Sequence, residues 1–91
     1  MDEVSRSWWW VLEQVRRQSP CTEAVLRRAR LESVEGNTIV LSWPWRFHRN
    51  AIDHPARRRL VEAAVANVMG RSYRLRCVTK TPPAGTRFPL H

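Results

Sequence analysis

Two histidines and a carboxylate stand close together in the middle of the chain. His48, Asp53 and His54 carry the imidazole and carboxylate groups that metal sites and general bases use. Their spacing matches no zinc motif, and Cys21 and Cys77 lie far from them in the sequence. A cysteine nucleophile paired with either histidine is no better supported. We therefore predict that His48 is a packing or turn residue, and we assign no catalytic residue, metal or cofactor.

Nucleotide hydrolysis is disfavoured by the distribution of glycine and lysine. A phosphate-binding loop needs the pattern G-x-x-x-x-G-K-S/T, in which backbone N–H groups and a lysine hold the phosphates. The chain has one lysine, Lys80, and its glycines Gly36, Gly70 and Gly85 are too far apart to form that loop. The sequence therefore predicts a binding domain and not an enzyme.

The charge balance indicates what such a domain would bind. The net charge is +8, and 15 of the 16 basic residues are arginine. An excess of this size attracts nucleic acid or an acidic protein surface. Guanidinium groups pair with carboxylate and phosphate in a bidentate manner, although a GC-rich genome produces the same arginine bias.

Tryptophans and arginines on outward positions are the candidate contact residues. At about 100° per residue, Trp8 faces the core, Trp10 lies nearly opposite beside Arg17, and Trp9 lies at the border. The predicted partner-binding residues are Trp9, Trp10, Arg17, Trp45, Arg57, Arg58, Arg74 and Arg76. Two alternatives stay open: the tryptophans pack on a tail or a neighbouring domain, and the arginines at the start of the third helix form a solvated face.

Helices precede the predicted sheet. Apolar residues recur every three or four positions from Glu3 to Gln18, which predicts an amphipathic helix. Ser19-Pro20 ends that helix, and Thr22 is the expected cap of a second, shorter one. Gly36-Asn37 then joins the strands 31–35 and 38–43 in a β-hairpin.

The second half of the sequence predicts two further helical segments and a third strand. Pro44 ends the second strand, and a short helical turn over 45–50 is expected to place Phe47 in the core. A third helix begins at Pro55 and stops at Gly70. In the strand that follows, Cys77 points inward while Arg74 and Arg76 face water.

These elements predict an α+β domain in the order ααββαβ, in which a three-stranded sheet carries helices on one face. Residues 1–79 form this single domain, and residues 80–91, rich in proline, form a flexible tail. The chain has no apolar run that spans a membrane, so we expect a soluble, cytoplasmic protein with reduced cysteines.

A set of short matches from Trp8 to Thr79 carries a family resemblance. They are Trp8-x-x-Val11-Leu12, Leu26-x-x-Ala29, Val34-Glu35-Gly36-Asn37-Thr38-Ile39-Val40-Leu41, Phe47-His48-Arg49, Arg58-Arg59-Leu60-Val61-Glu62-x-Ala64 and Gly70-x-x-x-Arg74-x-Arg76-Cys77. In this order they resemble the C-terminal domain of the bacterial DNA polymerase III gamma/tau subunit, a clamp-loader component. The N-terminal domain of the bacterial replication initiator ATPase shares nearly the same layout and is one alternative. A basic nucleic-acid-binding module is the other.

The resemblance implies a KH-like domain that makes protein contacts within the replisome. The implied partners are the polymerase catalytic subunit, the helicase or another replication protein, with self-association as the initiator-type alternative. A KH nucleic-acid site needs a G-x-x-G loop between two helices, and the junction 18–22 has no glycine. Only a weak, non-specific DNA contact is therefore expected. Docking is expected through the exposed tryptophans and arginines and an open sheet edge.

Overall fold

The computed structural model describes residues 2–80, and within them it shows four helices and three strands. In chain order these are α1 (Asp2–Gln18), α2 (Pro20–Leu26), β1 (Arg30–Glu35), β2 (Thr38–Trp43), α3 (Arg46–Ile52), α4 (Pro55–Met69) and β3 (Arg74–Thr79). The predicted α+β class is confirmed. The short turn expected after Pro44 is the helix α3, so the helix predicted as the third is α4.

The break between α1 and α2 lies at Ser19. Its side chain accepts a hydrogen bond from the Thr22 N–H at 3.3 Å, and its backbone is extended, as an N-cap requires. The prediction that Thr22 caps α2 is wrong: Thr22 lies inside the helix, and its hydroxyl hydrogen-bonds that of Ser19 at 2.8 Å. Pro20 explains the difference, because proline suits the first helical position, where no backbone donor is needed.

The sheet has the order β1-β2-β3 and is mixed. β1 and β2 pair antiparallel around the turn at Gly36, whose φ of 63° suits glycine. β2 and β3 pair parallel, with Ile39 opposite Leu75, so the chain crosses from one to the other through α3 and α4. An irregularity between Leu31 and Ser33 in β1 lets Glu32 interact with Ser42 of β2.

The crossover helices begin and end at recognisable residues. His54 caps α4, Pro55 starts it, and Gly70 ends it in the left-handed conformation with φ 81°. The prediction that Phe47 of α3 enters the core is wrong, because Phe47 is 78% exposed. Ile52 takes the core position instead, and at about 100° per residue it points roughly 140° away from Phe47.

The core lies between the helices and one face of the sheet, whose other face carries the exposed Arg74 and Arg76. Trp43 is completely buried, and its indole N–H donates to the Val25 carbonyl at 3.0 Å, which joins β2 to the end of α2. The buried cluster consists of Val4, Val11, Val15, Leu26, Ile39, Leu41, Trp43, Ile52, Val61, Ala64, Val65, Tyr73 and Leu75.

Lys80 continues the contacts of β3. Its backbone N–H donates to the Trp43 carbonyl at 2.9 Å, and its ammonium group donates to Glu32 at 3.0 Å. The rest of the predicted tail, 81–91, lies outside the described residues. Within 2–80, every helix is too short or too polar to cross a bilayer.

Candidate protein-docking surface

Two adjacent tryptophans project from the outer side of α1. Trp9 is 58% exposed and Trp10 is 59% exposed, and their rings meet edge to face with centroids 4.8 Å apart. They lie outside because the buried face of α1 is occupied by Val4, Val11 and Val15, at helical spacing. Burying either ring on a partner would remove a large apolar area from water.

Each tryptophan borders a different groove. Trp9 lies over the groove between α1 and α2, which is lined by Trp9, Leu12, Glu13, Arg16, Glu23 and Arg27. Trp10 lies over the groove between α1 and α4, which is lined by Ser7, Trp10, Glu13, Gln14, Arg17 and Val68. We call Trp9, Trp10, Arg17 and these two grooves the α1 surface. Trp9 and Trp10 thus lie between two grooves that can accept side chains of a partner.

The charges of the first groove are internally balanced. Arg16 makes an ion pair with Glu13 one turn earlier on α1, and Arg27 binds the nearly buried carboxylate of Glu23 at 2.7 Å. Arg17 differs, because no carboxylate among the described residues pairs with it. The α1 surface thus presents one unneutralised guanidinium next to Trp10.

The other predicted contact residues lie on two different parts of the domain. Trp45 is the N-cap of α3 and is 55% exposed, and Arg57 is exposed in the first turn of α4. Arg74 and Arg76 are exposed on the open face of the sheet, in register with β2. The eight predicted residues therefore do not form one continuous site.

Arg58 makes hydrogen bonds and ion pairs within the fold. Its guanidinium donates to Asp53 at 2.8 Å and to the Leu75 carbonyl at 2.6 Å, and it lies 3.7 Å from the Glu62 carboxylate. Glu62 in turn accepts from the Leu75 N–H at 2.9 Å. Both backbone groups of Leu75 on the outer edge of β3 are thus occupied. The expected open sheet edge is closed at this position by side chains of α4.

The histidines and cysteines of the sequence have structural surroundings. His54 accepts a hydrogen bond from the Ala56 N–H at 3.3 Å as the cap of α4, and His48 packs against the rings of Trp45 and Phe47. Both cysteines are free thiols, and burial raises the pKa of Cys77 to about 11. Within residues 2–80 no three His, Cys, Asp or Glu side chains are grouped as a metal site would require.

Comparison with known protein families agrees with this fold and with the sequence motifs. Residues 1–82 match the family described as the C-terminal domain of DNA polymerase III subunit tau. The chain belongs to this family. A comparison with curated proteins found no match. The predicted family is confirmed, and the match favours the polymerase subunit over the replication initiator.

Membership assigns this tau C-terminal domain to DNA replication as a non-catalytic part of polymerase III. The motif residues Trp8, Leu26, Ile39 and Val61 lie in or against the core. The exposed Trp9 and Trp10 follow the motif residue Trp8 directly in the sequence. The family pattern therefore accounts for the scaffold, while these two residues belong to its surface.

One exposed aromatic residue of this tau C-terminal domain was assigned wrongly from the sequence. Phe47 was placed in the core, yet its neighbours Arg46, Arg49 and Asn50 are polar and Ile52 is the buried position of α3. A helical projection anchored on Ile52 would have placed Phe47 outside. Phe47 and Trp45 both contact His48, which creates a second exposed aromatic group away from α1.

Proposed function

We propose that this tau C-terminal domain is a non-catalytic, cytoplasmic replisome adaptor that docks the clamp loader to the polymerase III catalytic subunit through the α1 surface. The observation that carries the proposal is the pair Trp9 and Trp10, each more than half exposed at the junction of two grooves. Tryptophan and arginine are enriched among residues that dominate binding energy, especially near well-packed pockets.

The geometry of the pair favours a stable contact. The two rings already pack edge to face at 4.8 Å, so part of the ordering cost of binding is met before a partner arrives. The grooves on either side offer Leu12 and Val68 as apolar floor residues. A partner segment that covers both rings would insert one apolar side chain on each side of α1.

The charges around α1 indicate the chemistry of that segment. Arg17 lies beside Trp10 without a carboxylate partner among the described residues, and the whole chain carries a net charge of +8. A partner segment with apolar anchors and at least one carboxylate near Arg17 would be complementary. Such complementarity raises the association rate. High salt screens the attraction and lowers the rate again.

The test is a binding measurement between the full chain and the polymerase III catalytic subunit of the same organism. The Trp9→Ala, Trp10→Ala double variant is expected to weaken binding by about 30-fold or more, as removal of a hot spot does. The matched control is Trp45→Ala, Phe47→Ala, which removes two exposed aromatic rings elsewhere. Its affinity should equal that of the parent chain.

The outcomes separate the partner from the surface. Equal loss in both double variants, or loss only in the control, would reject the α1 surface. Absence of binding by the parent chain would reject the catalytic subunit, and the same pair of variants would then be measured with the helicase. Sedimentation at several concentrations completes the set: a dimer that Trp10→Ala dissociates would show that a second copy covers α1.

A further inference from the structure

A second aromatic group lies at α3, on a different part of the molecule. Trp45 is 55% exposed and Phe47 is 78% exposed. Both rings contact the His48 imidazole edge to face, at centroid distances of 5.8 and 5.6 Å. We call Trp45, Phe47 and His48 the α3 platform. α1 packs on α2 and α4, whereas α3 packs on α2, α4, β2 and β3, so the platform and the α1 surface lie on different helices with different neighbours.

Arginines are concentrated in the sequence around this platform. The segment 44–59 contains five arginines and a single carboxylate, Asp53, which is paired with Arg58. The other four arginines make no ion pair with a carboxylate of the described residues. They are Arg46, Arg49, Arg57 and Arg59.

Arg57 is held close to α3. Its guanidinium donates to the Ala51 carbonyl at 3.1 Å, near the end of that helix. Arg57 also lies in the first turn of α4, where positive charge opposes the helix dipole. A bound anion would relieve this repulsion.

We propose that the α3 platform binds single-stranded DNA. Bases would stack on Trp45 and Phe47, and phosphates would pair with the surrounding guanidinium groups, a combination that binds single strands with little sequence preference. DNA is the relevant nucleic acid because the family belongs to a replicative DNA polymerase. The site is unrelated to the KH loop that this chain lacks.

The exposure of the rings favours DNA over an acidic protein segment. Phe47 protrudes with more than three quarters of its surface in water, which suits a flat base that needs one face of a ring. The grooves described above, which would seat the side chains of a protein partner, lie beside α1. Protruding rings in an arginine-rich segment are suited to stacking with bases.

The experiment measures fluorescence anisotropy of a labelled oligothymidylate of about 12 nucleotides, within the usual site size for small single-strand binders. The full chain is titrated at physiological salt. The Trp45→Ala, Phe47→Ala variant is expected to bind roughly tenfold or more weakly, as loss of base stacking predicts. The Trp9→Ala, Trp10→Ala variant is the matched control and should bind as the parent does.

A second pair of variants separates local from overall charge. Arg46→Glu and Arg17→Glu change the net charge equally, and both residues are exposed. Arg46→Glu should weaken binding clearly more than Arg17→Glu, because only Arg46 lies on α3. The conservative Trp45→Phe change should keep most of the affinity while reducing the tryptophan quenching caused by DNA.

Several results would overturn the proposal. These are no binding at physiological salt, equal losses in the two double variants, or equal losses in the two charge variants. Tighter binding to a duplex of the same length would also reject stacking on exposed rings. Binding of polyglutamate with the same dependence on Trp45 and Phe47 would show that the platform recognises an acidic polypeptide. Circular dichroism spectra identical to the parent's would show that each variant is folded.

Discussion

The carboxylate of Glu62 accepts a hydrogen bond from the Leu75 N–H at 2.9 Å, on the edge of β3 that faces away from β2. The Leu75 carbonyl is bound at the same edge by Arg58 at 2.6 Å. At Leu75, two side chains of α4 thus take the place of the hydrogen bonds that a neighbouring strand would make. An edge closed in this way resists pairing with another chain.

Removal of this edge contact should destabilise the fold. Arg58→Ala is expected to lower the free energy of unfolding by about 1–2 kcal/mol, because the Leu75 carbonyl and the Asp53 carboxylate lose a charged donor. Arg59→Ala is the control at the next position, and since Arg59 is exposed it should change stability by less than about 0.5 kcal/mol. Urea unfolding of both variants measures the difference. Equal stabilities would show that the edge contact contributes nothing.

The same contact distinguishes Arg58 from the arginines on either side of it. Arg57, Arg58 and Arg59 look alike in the sequence, since each is an arginine near the start of a helix. Their uses differ because β3, distant in sequence, brings the Leu75 carbonyl next to one of them only. Sequence spacing carries no information about that tertiary contact.

Proline and glycine residues predicted the limits of helices and strands well, because each acts on the backbone at its own position. The limits of β2 and α4 follow from Pro44, Pro55 and Gly70, each of which acts on its own backbone. Phe47 was misplaced because the length and orientation of α3 depend on which residue fills the corner of the core, and Ile52 fills it. Surface exposure on a short helix is decided by such packing.

The two tryptophans of the segment 43–45 should respond differently to the same substitution. Trp43 is fully buried and donates to the Val25 carbonyl at 3.0 Å, so Trp43→Phe leaves a cavity and an unpaired carbonyl. We expect a loss of about 2–3 kcal/mol in the free energy of unfolding. Trp45→Phe, at a residue 55% exposed, should cost less than about 0.5 kcal/mol. Thermal and urea unfolding both test this, and similar costs would contradict the burial of Trp43.

The two thiols should differ in reactivity. Burial raises the pKa of Cys77 to about 11, with a further contribution from Asp53, so little thiolate forms there at neutral pH. Cys21 is exposed. A thiol reagent at neutral pH should label Cys21 in the native protein and both cysteines in denaturant. The Cys21→Ala variant should therefore react only after unfolding, and rapid labelling of the native variant would contradict the prediction.

The raised pKa of Cys77 also predicts a dependence of stability on alkaline pH. Between about 9, the ordinary value, and about 11, the unfolded chain loses this proton while the folded protein keeps it. The unfolded state then binds fewer protons, so stability falls as the pH rises through this window. Cys77→Ala should flatten that part of the curve. An unchanged slope would assign the alkaline loss to other groups.

Acid pH should reveal the contact between Glu32 and Ser42. The Ser42 hydroxyl donates to the Glu32 carboxylate at 2.6 Å, and this bond, followed by that of Lys80, lowers the pKa of Glu32 from its ordinary value of 4.5. A lowered pKa contributes stability above the ordinary value, and that contribution is lost as the pH falls through the folded value. Ser42→Ala should therefore be less stable than the parent at neutral pH by about 1 kcal/mol.

The size of that difference at low pH is the decisive measurement. Once Glu32 is protonated in both proteins, the charge-assisted part of the bond is absent, and the gap between Ser42→Ala and the parent should narrow. Ser33→Ala is the control, because the Ser33 hydroxyl donates to Glu35 at 3.2 Å on the exposed part of β1 and should contribute little at either pH. Urea unfolding near neutral pH and again at about pH 3 compares the three proteins. A gap of the same size at both values would mean that Ser42 acts by packing in β2 and not through Glu32.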